Sequence, residues 1–326
     1  MDSISQKLRS VAATPRKTQM NPLRGIAYKL LAVAVFMVMS SLVKATAEVV
    51  PPGEAMFFRS AFAIPPVLAW LWFTGEFPGA LRTANPMGHV WRGLVGSCAM
   101  GFSFLALGLI PLPEAVAIGF AAPILATILA AMFLGETIRL YRLFAVALGL
   151  IGVTLVIWPR LGGIDAESAT KLETVGAFAA LLAAVFAALA QVFVRKLVHK
   201  ETTGAIVIYF SLTATLLSLL SSPFGWVLPP TGTLTLLVLC GLIGGLGQVL
   251  LTMSYRYAET SVIAPFDYAQ IIFALLIGWF VFSEAPTGMM LAGASLTIIG
   301  GVVIIWRERQ LGIERAKSRK VMTPQG

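Results

Sequence analysis

The segment SVIAPFDYAQIIFALLIGWFVF, residues 261–282, is apolar and long enough to cross a bilayer, yet it carries Asp267 near one end. On insertion scales a carboxylate at the bilayer centre costs about 2.5–3.5 kcal/mol. Asp267 is not central: at 1.5 Å per residue it lies roughly 9 Å from the end of its helix. Gln270 is one turn further along and shares its face, whereas Tyr268 points about 100° away. Lys29 sits at similar depth in another apolar run, 24–44, and enters from the same side, so a Lys29–Asp267 ion pair is within reach. Such a pair is either a structural tie or a site that binds substrate or carries a proton. Arg59 is a second intramembrane charge, about 8 Å from the opposite end of its own run, with Glu54 and Glu114 near the same level as candidate partners. Glu114 is also a second candidate for proton coupling. Gln191 and Gln248 lie inside further apolar runs. A buried amide needs hydrogen-bond partners, which either another helix or a bound substrate can supply.

Little else in the chain could do chemistry. His89 and His199 are not paired with each other, and Cys98 and Cys240 lie in apolar stretches without metal-ligand spacing. There is no GxxxxGK[ST] phosphate loop, no nucleophile elbow and no zinc motif. No cofactor and no enzymatic activity are expected. A membrane enzyme or a channel is the competing class, and product formation or unsaturable flux would mark them.

The elements that must position these residues are membrane helices. The chain has 326 residues, of which 58% are hydrophobic and 12% charged, well outside the range of water-soluble domains. Ten apolar runs are read as spans: 24–44, 54–73, 89–109, 113–134, 140–158, 174–194, 204–221, 232–254, 261–282 and 287–306. With the N-terminus inside, 19 of the 24 Lys and Arg residues fall on cytoplasmic segments, Arg92 counted among them. Both termini are therefore expected in the cytoplasm of a bacterial inner-membrane protein. The net charge of +9 reads as topology and contact with anionic lipid, not nucleic-acid binding. Residues 1–22 and 308–326 read as basic cytoplasmic tails, 23–160 and 174–307 as two five-helix halves, and 161–173 as a periplasmic linker. Met20 offers an alternative start to Met1, and no cleavable signal peptide is evident.

The two halves repeat. Shifted by 148 residues, Gly93, Gly96, Glu136, Gly152 and Trp158 fall on Gly241, Gly244, Glu284, Gly300 and Trp306. For the start of each half the shift is 151, which places Gly25, Lys44, Gly53 and Ser60 on Gly176, Arg195, Gly204 and Ser211. Five spans is an odd number, so the second copy enters the membrane upside down. Inverted repeats recur in secondary transporters, with substrate bound between the halves near the midplane. Glu136 and Glu284 stand where one helix ends and the next begins, and each is expected to cap the next helix. Gly241 and Gly245 have the spacing of a close helix contact. Pro65, Pro66 and Pro123 are expected to kink spans 2 and 4 and free backbone carbonyls for a cavity.

This pattern resembles the drug/metabolite transporter superfamily, EamA type, most clearly in AAPILATILAAMFLGETIRLYRLFAVALGLIGVTLVIWP at 121–159, with a looser second copy carrying FSE at 282–284. Within it, NPLRGIAYKLLAVAVFMVMSSLVKAT (21–46), PPGEAMFFRSAFAIP (51–65), IPLPEAVAIGFAAP (110–123) and APFDYAQIIFA (264–274) resemble bacterial riboflavin importers. The resemblance implies riboflavin as transported substrate. Related branches carry amino acids, S-adenosylmethionine and other metabolites, in either direction. Some are homodimers. On this reading Asp267, Gln270, Tyr268 and Lys29 line the inner part of a cavity and Arg59 its outer part, with Gln191 and Gln248 as further lining.

Overall fold

The computed structural model describes residues 21–75, 77, 83–134, 140–161, 171–198, 201–258 and 260–321. Every regular element among them is helical. Ten spans follow in order: span 1, Pro22–Thr46; span 2, Pro52–Ala61 and Ile64–Thr74; span 3, Pro86–Leu109; span 4, Leu112–Gly119 and Ala121–Leu134; span 5, Leu140–Ile157. Span 6 is Lys171–Val198; span 7, Thr203–Leu219; span 8, Thr231–Tyr257; span 9, Thr260–Ile263, a 3-10 turn Ala264–Tyr268 and Ala269–Phe282; span 10, Gly288–Val321. The end of the bundle at which span 1 begins is called the near end, and the opposite end the far end.

Three near-end helix starts, those of spans 1, 3 and 7, are set locally. Asn21 and Asn85 each precede a proline, and their side chains accept from Arg24 N at 3.2 Å and Gly88 N at 3.0 Å. Thr202 does the same for Ala205 N at 3.2 Å. Each such cap contributes about 1 kcal/mol, and proline is at home in the first turn because its missing N–H would have had no partner there. Span 10 continues as helix to Val321, so the expected tail from 308 begins as an extension of the last helix. Span 6 likewise starts at Lys171, inside the expected linker.

Packing reports the inverted repeat. Span 1 lies along span 8, and span 3 along span 6, the two contacts that the repeat makes equivalent. Span 2 packs on span 7, span 4 on span 9 and span 5 on span 10, each pair related to itself. The fold is thus an all-helical membrane bundle of two inverted five-helix halves. Leu23, Phe73, Met132, Phe144, Leu216 and Phe280 are exposed around its outside, a surface suited to lipid rather than water.

Glycines set the closest approaches. A Cβ at Gly245 would meet Pro66 and, at 2.7 Å, the Ala63 carbonyl; one at Gly241 would meet Phe62 and, at 2.6 Å, the Phe58 carbonyl. Span 8 therefore lies flush against the broken middle of span 2. Spans 5 and 10 touch backbone to backbone, Gly152 and Gly293 each facing the other's carbonyl oxygen at 2.5 Å from a notional Cβ.

Three spans are interrupted. Span 2 breaks at Phe62–Ala63, Phe62 three residues before Pro65 and Ala63 three before Pro66. A proline lacks the N–H that would bond four residues back and crowds that carbonyl, so the break precedes the ring. Span 4 breaks at Phe120, again three residues before its proline, Pro123. Span 9, expected as one helix, is broken as well: Pro265 opens a 3-10 turn that contains Asp267. The repeat makes Phe120 and Tyr268 equivalent (120 + 148 = 268), and their rings meet edge to face at 5.1 Å. The two breaks pack on each other across the halves.

Gly293→Leu is expected to cost about 1–3 kcal/mol through forced separation of spans 5 and 10. Gly119→Ala, where a Cβ meets nothing within 4 Å, should be neutral or slightly stabilising. Thermal unfolding of the detergent-solubilised protein reads both; an unchanged midpoint for Gly293→Leu would refute the contact.

Candidate functional site

Spans 1 and 9 form a seam closed by a lysine–carboxylate pair at each end. At the near end Lys29 Nζ is 2.7 Å from Asp267 Oδ1, with side-chain exposures of 3% and 36%. The 3-10 turn holds Asp267 across from span 1, and a stacked Tyr28–Tyr257 pair, centroids 5.6 Å apart, lies beside Lys29 in sequence. At the far end Lys44 Nζ is 2.8 Å from Glu284 Oε1 and donates to the carbonyls of Ile110 at 2.8 Å and Leu107 at 3.2 Å. Glu284 Oε2 accepts from Leu112 N at 2.8 Å. Glu284 therefore caps a helix, but not the next one as expected: it caps span 4 of the other half. Ser283, at φ 56°, turns the chain so that the carboxylate points back into the bundle. One five-residue cluster, Lys44, Leu107, Ile110, Leu112 and Glu284, thus joins the ends of spans 1, 3, 4 and 9. Glu136, its partner in the repeat, lies outside the described residues.

The seam's counterpart in the repeat is uncharged. Lys29 maps to Ala180 (29 + 151) and Asp267 to Gly119 (267 − 148). Both line a cavity of about 130 Å³, walled otherwise by alanines of spans 3, 4 and 6 and Ser103. Metabolite pockets run to about 300–1,000 Å³, so this void is too small for one.

Arg59 makes neither of the expected pairings. Glu54, five residues earlier on the same helix, turns away and accepts from Val227 N at 3.0 Å. Glu114 is buried in the first turn of Leu112–Gly119. Arg59, 4% exposed, instead extends over the Phe210 ring at 5.8 Å, and Arg92 of span 3 covers the same ring at 4.2 Å. Nε and one terminal nitrogen of each guanidinium are buried without a hydrogen-bond partner. A desolvated cation–π contact contributes about 2 kcal/mol, less than the several kcal/mol lost by an ion taken out of water. Arg92 stands only three residues inside the run 89–109, so in sequence it looks like one more cytoplasmic charge. Its position inside Pro86–Leu109 was the available signal.

A second cluster lies at the near end. Glu201 Oε1 accepts from Thr83 Oγ1 at 2.9 Å and from the N–H groups of Ala84 and Asn85, both at 2.8 Å; Oε2 is 3.5 Å from His89 Nε2. Burial pushes the Glu201 carboxyl up, but the bonds from Thr83, Asn85, Ala84 and His89 outweigh it and hold the pKa below the ordinary carboxylate value. This clasp joins the loops before spans 3 and 7.

The remaining candidates scatter. Gln270 is half-buried one turn beyond Asp267. Tyr268 is no cavity lining: it is 7% exposed and packs on Phe120 and against Gly301 in the apolar core. Gln191 is exposed on span 6 and Gln248 half-buried on span 8.

Asp267→Asn strands the Lys29 charge and should cost about 2 kcal/mol, below the roughly 3–5 kcal/mol of a fully buried pair because Asp267 is 36% exposed. Lys29→Met with Asp267→Leu should cost less than either single change; additive losses in a double-mutant cycle would dismiss the pair. Glu201 has a depressed folded-state pKa, so its contribution is present above the unfolded value of about 4.3 and disappears as pH falls through the lower folded value. The melting-point gap between wild type and Glu201→Gln should therefore be wide at pH 7, hold down to the unfolded value of about 4.3, and shrink as the pH is taken further down through the folded value. A constant gap would refute the clasp.

The chain matches the EamA-like transporter family over residues 23–158 and 174–306, the two halves in turn. It is 31% identical over 284 residues to the pseudopaline exporter CntI of Pseudomonas aeruginosa, covering 86% of this chain and 95% of that one. It is 26% identical to the S-adenosylmethionine uptake transporter of Rickettsia bellii, over 82% and 87% of the two chains. A crystal structure with a TM-score of 0.61 and 23% identity, covering 87% of this chain and 98% of that one, shares the fold. Two matched halves of five spans each and a relative this similar over nearly its whole length give one conclusion: this chain is a member of the EamA-like transporter family, a multi-pass membrane transporter of small molecules.

Proposed function

We propose that the protein is an inner-membrane secondary carrier of a small amino-acid-derived metabolite, working by alternating access. The observation that carries this reading is the seam between spans 1 and 9, closed by an ion pair at each end. Opening toward one side requires breaking one pair while the other holds. The far-end cluster is the outer gate and the near-end pair the inner one. The distribution of Lys and Arg supports this orientation, with both termini in the cytoplasm. The interruptions of spans 2, 4 and 9 supply the hinges, and backbone freed there is tolerated only where it lines a cavity or is buried in protein. Asp267, with Lys29 as its counter-charge, is the candidate proton site of the inner gate.

Substrate class follows the named relatives. S-adenosylmethionine uptake by one relative points to an amino-acid-derived solute, and pseudopaline export by another leaves both directions of transport open. Riboflavin import is the second reading. The segments that resemble riboflavin importers, 110–123 and 264–274, are the two broken elements that meet at Phe120 and Tyr268.

Counterflow in proteoliposomes reads a carrier in either direction. Vesicles preloaded with unlabelled S-adenosylmethionine should accumulate the labelled compound transiently and saturably, whereas riboflavin preloading should give no labelled riboflavin uptake. The reverse result would install riboflavin as substrate. Lys44→Met should slow counterflow at least tenfold without loss of folded protein; full activity would remove the far-end cluster from the gating cycle.

A further inference from the structure

We propose that Arg59 and Arg92, together with the face of Phe210, form a binding site for carboxylate groups of the transported solute. Three observations converge on it. First, two guanidiniums share one aromatic ring deep in the bundle, at 5.8 and 4.2 Å, and no carboxylate among the described residues pairs with either. Lys29 and Lys44, also inside spans, do have carboxylate partners. Two like charges this close without a counter-ion repel each other and lack solvation, a state a membrane protein tolerates where function requires it.

Second, three buried hydroxyls on the spans that carry Arg59, Arg92 and Phe210 are unsatisfied. Ser41, Thr46, Thr213, Thr215, Ser218, Ser254 and Thr297 all bond back to a carbonyl of the preceding turn. Ser60, Ser97 and Ser211 do not, and each is a buried hydroxyl with no partner. Ser60 follows Arg59, Ser211 follows Phe210, and Ser97 lies on span 3 next to Gly96, whose missing side chain leaves room for Arg92 and Phe210. Arginine forks and hydroxyl donors are what a carboxylate accepts from.

Third, the repeat puts the cluster at the junction of the halves. Arg59 and Phe210 are equivalent positions (59 + 151 = 210), as are Ser60 and Ser211, on the self-related pair of spans 2 and 7. Substitution of arginine by phenylalanine at one of two equivalent positions makes the site one-sided, a cation facing a ring. Gly244 lets Arg59 lie flat, its Nε 3.4 Å from a notional Cβ there. The solute is therefore an anion or a zwitterion, and a dicarboxylate engages both forks at once.

This inference deepens the carrier reading and rests on it, but its test reads binding alone, so the two fail separately. The full-length protein in detergent is melted with succinate or with its neutral diamide, succinamide, at constant ionic strength, with inorganic phosphate as a second anion. Succinate should raise the melting temperature by several degrees in a saturable manner and succinamide should not. A response to phosphate equal to that of succinate would replace the carboxylate assignment with an inorganic-anion site. Arg59→Gln and Arg92→Gln should each abolish the succinate response. Arg92→Lys keeps the charge but not the fork, and should weaken the half-saturating concentration at least fivefold; it serves also if a glutamine variant does not fold. Equal responses to succinate and succinamide, or a succinate response unchanged by Arg92→Lys and by either glutamine variant that folds, would overturn the site.

Discussion

The seam between spans 1 and 9 is the constraint on which the bundle depends. In a bilayer a lone lysine or carboxylate cannot rest on solvent, so each of these four charges has to find its partner before the helices can settle. Lys29 and Lys44 lie on one helix, roughly 22 Å apart at 1.5 Å per residue. Their partners lie on one chain segment of the other half. Matching both pairs fixes the rotation, the height and the tilt of span 1 against span 9. Everything that touches the far-end cluster is fixed with it, because Glu284 also holds the start of span 4 and Lys44 the end of span 3.

A transporter has to undo such fixation and restore it. Near-twofold symmetry provides two similar packings of similar energy, and deviations from symmetry decide what is carried. The deviations here are concentrated in charge. Lys29 and Asp267 face each other where the repeat has Ala180 and Gly119, and Arg59 faces Phe210 where strict symmetry would set like against like. The scaffold positions, by contrast, stay small at the helix crossings, where Gly241 and Gly152 match Gly93 and Gly300 while Gly245 and Gly293 match Ser97 and Ala145, and stay aromatic at the paired breaks, Phe120 and Tyr268. Selection for binding acts on the first set, and the requirement for close helix approach acts on the second.

Much of this was legible before any coordinates. The Lys29–Asp267 pairing follows from depth, because two helices entering from one side bring residues of equal offset to one level. The breaks of spans 2 and 4 follow from proline chemistry. Other features were hidden for identifiable reasons. Pro265 stands so near the start of span 9 that it reads as an ordinary first-turn proline, and the 3-10 turn shows only in the fold. Glu284 looked like a local cap because sequence shows neighbours along the chain, whereas its donor Leu112 is in the other half. Gln191 and Tyr268 looked like cavity lining by polarity alone, but Gln191 is exposed and Tyr268 packs in the apolar core, because which side of a helix faces the interior depends on its neighbours.

Hydropathy, repeat register and rise per residue are properties of the chain, so the membrane class, the ten spans, the inverted duplication and the depth of each charge are readable from it alone. Only the tertiary structure decided which charges meet. Helix rotation turned Glu54 to Val227 and left Arg59 without an acid. It also brought Arg92, from a span whose sequence suggested nothing but topology, onto the same ring as Arg59. The physical reason is that azimuth about a helix axis is set by packing against several partners at once, and no single segment contains that information.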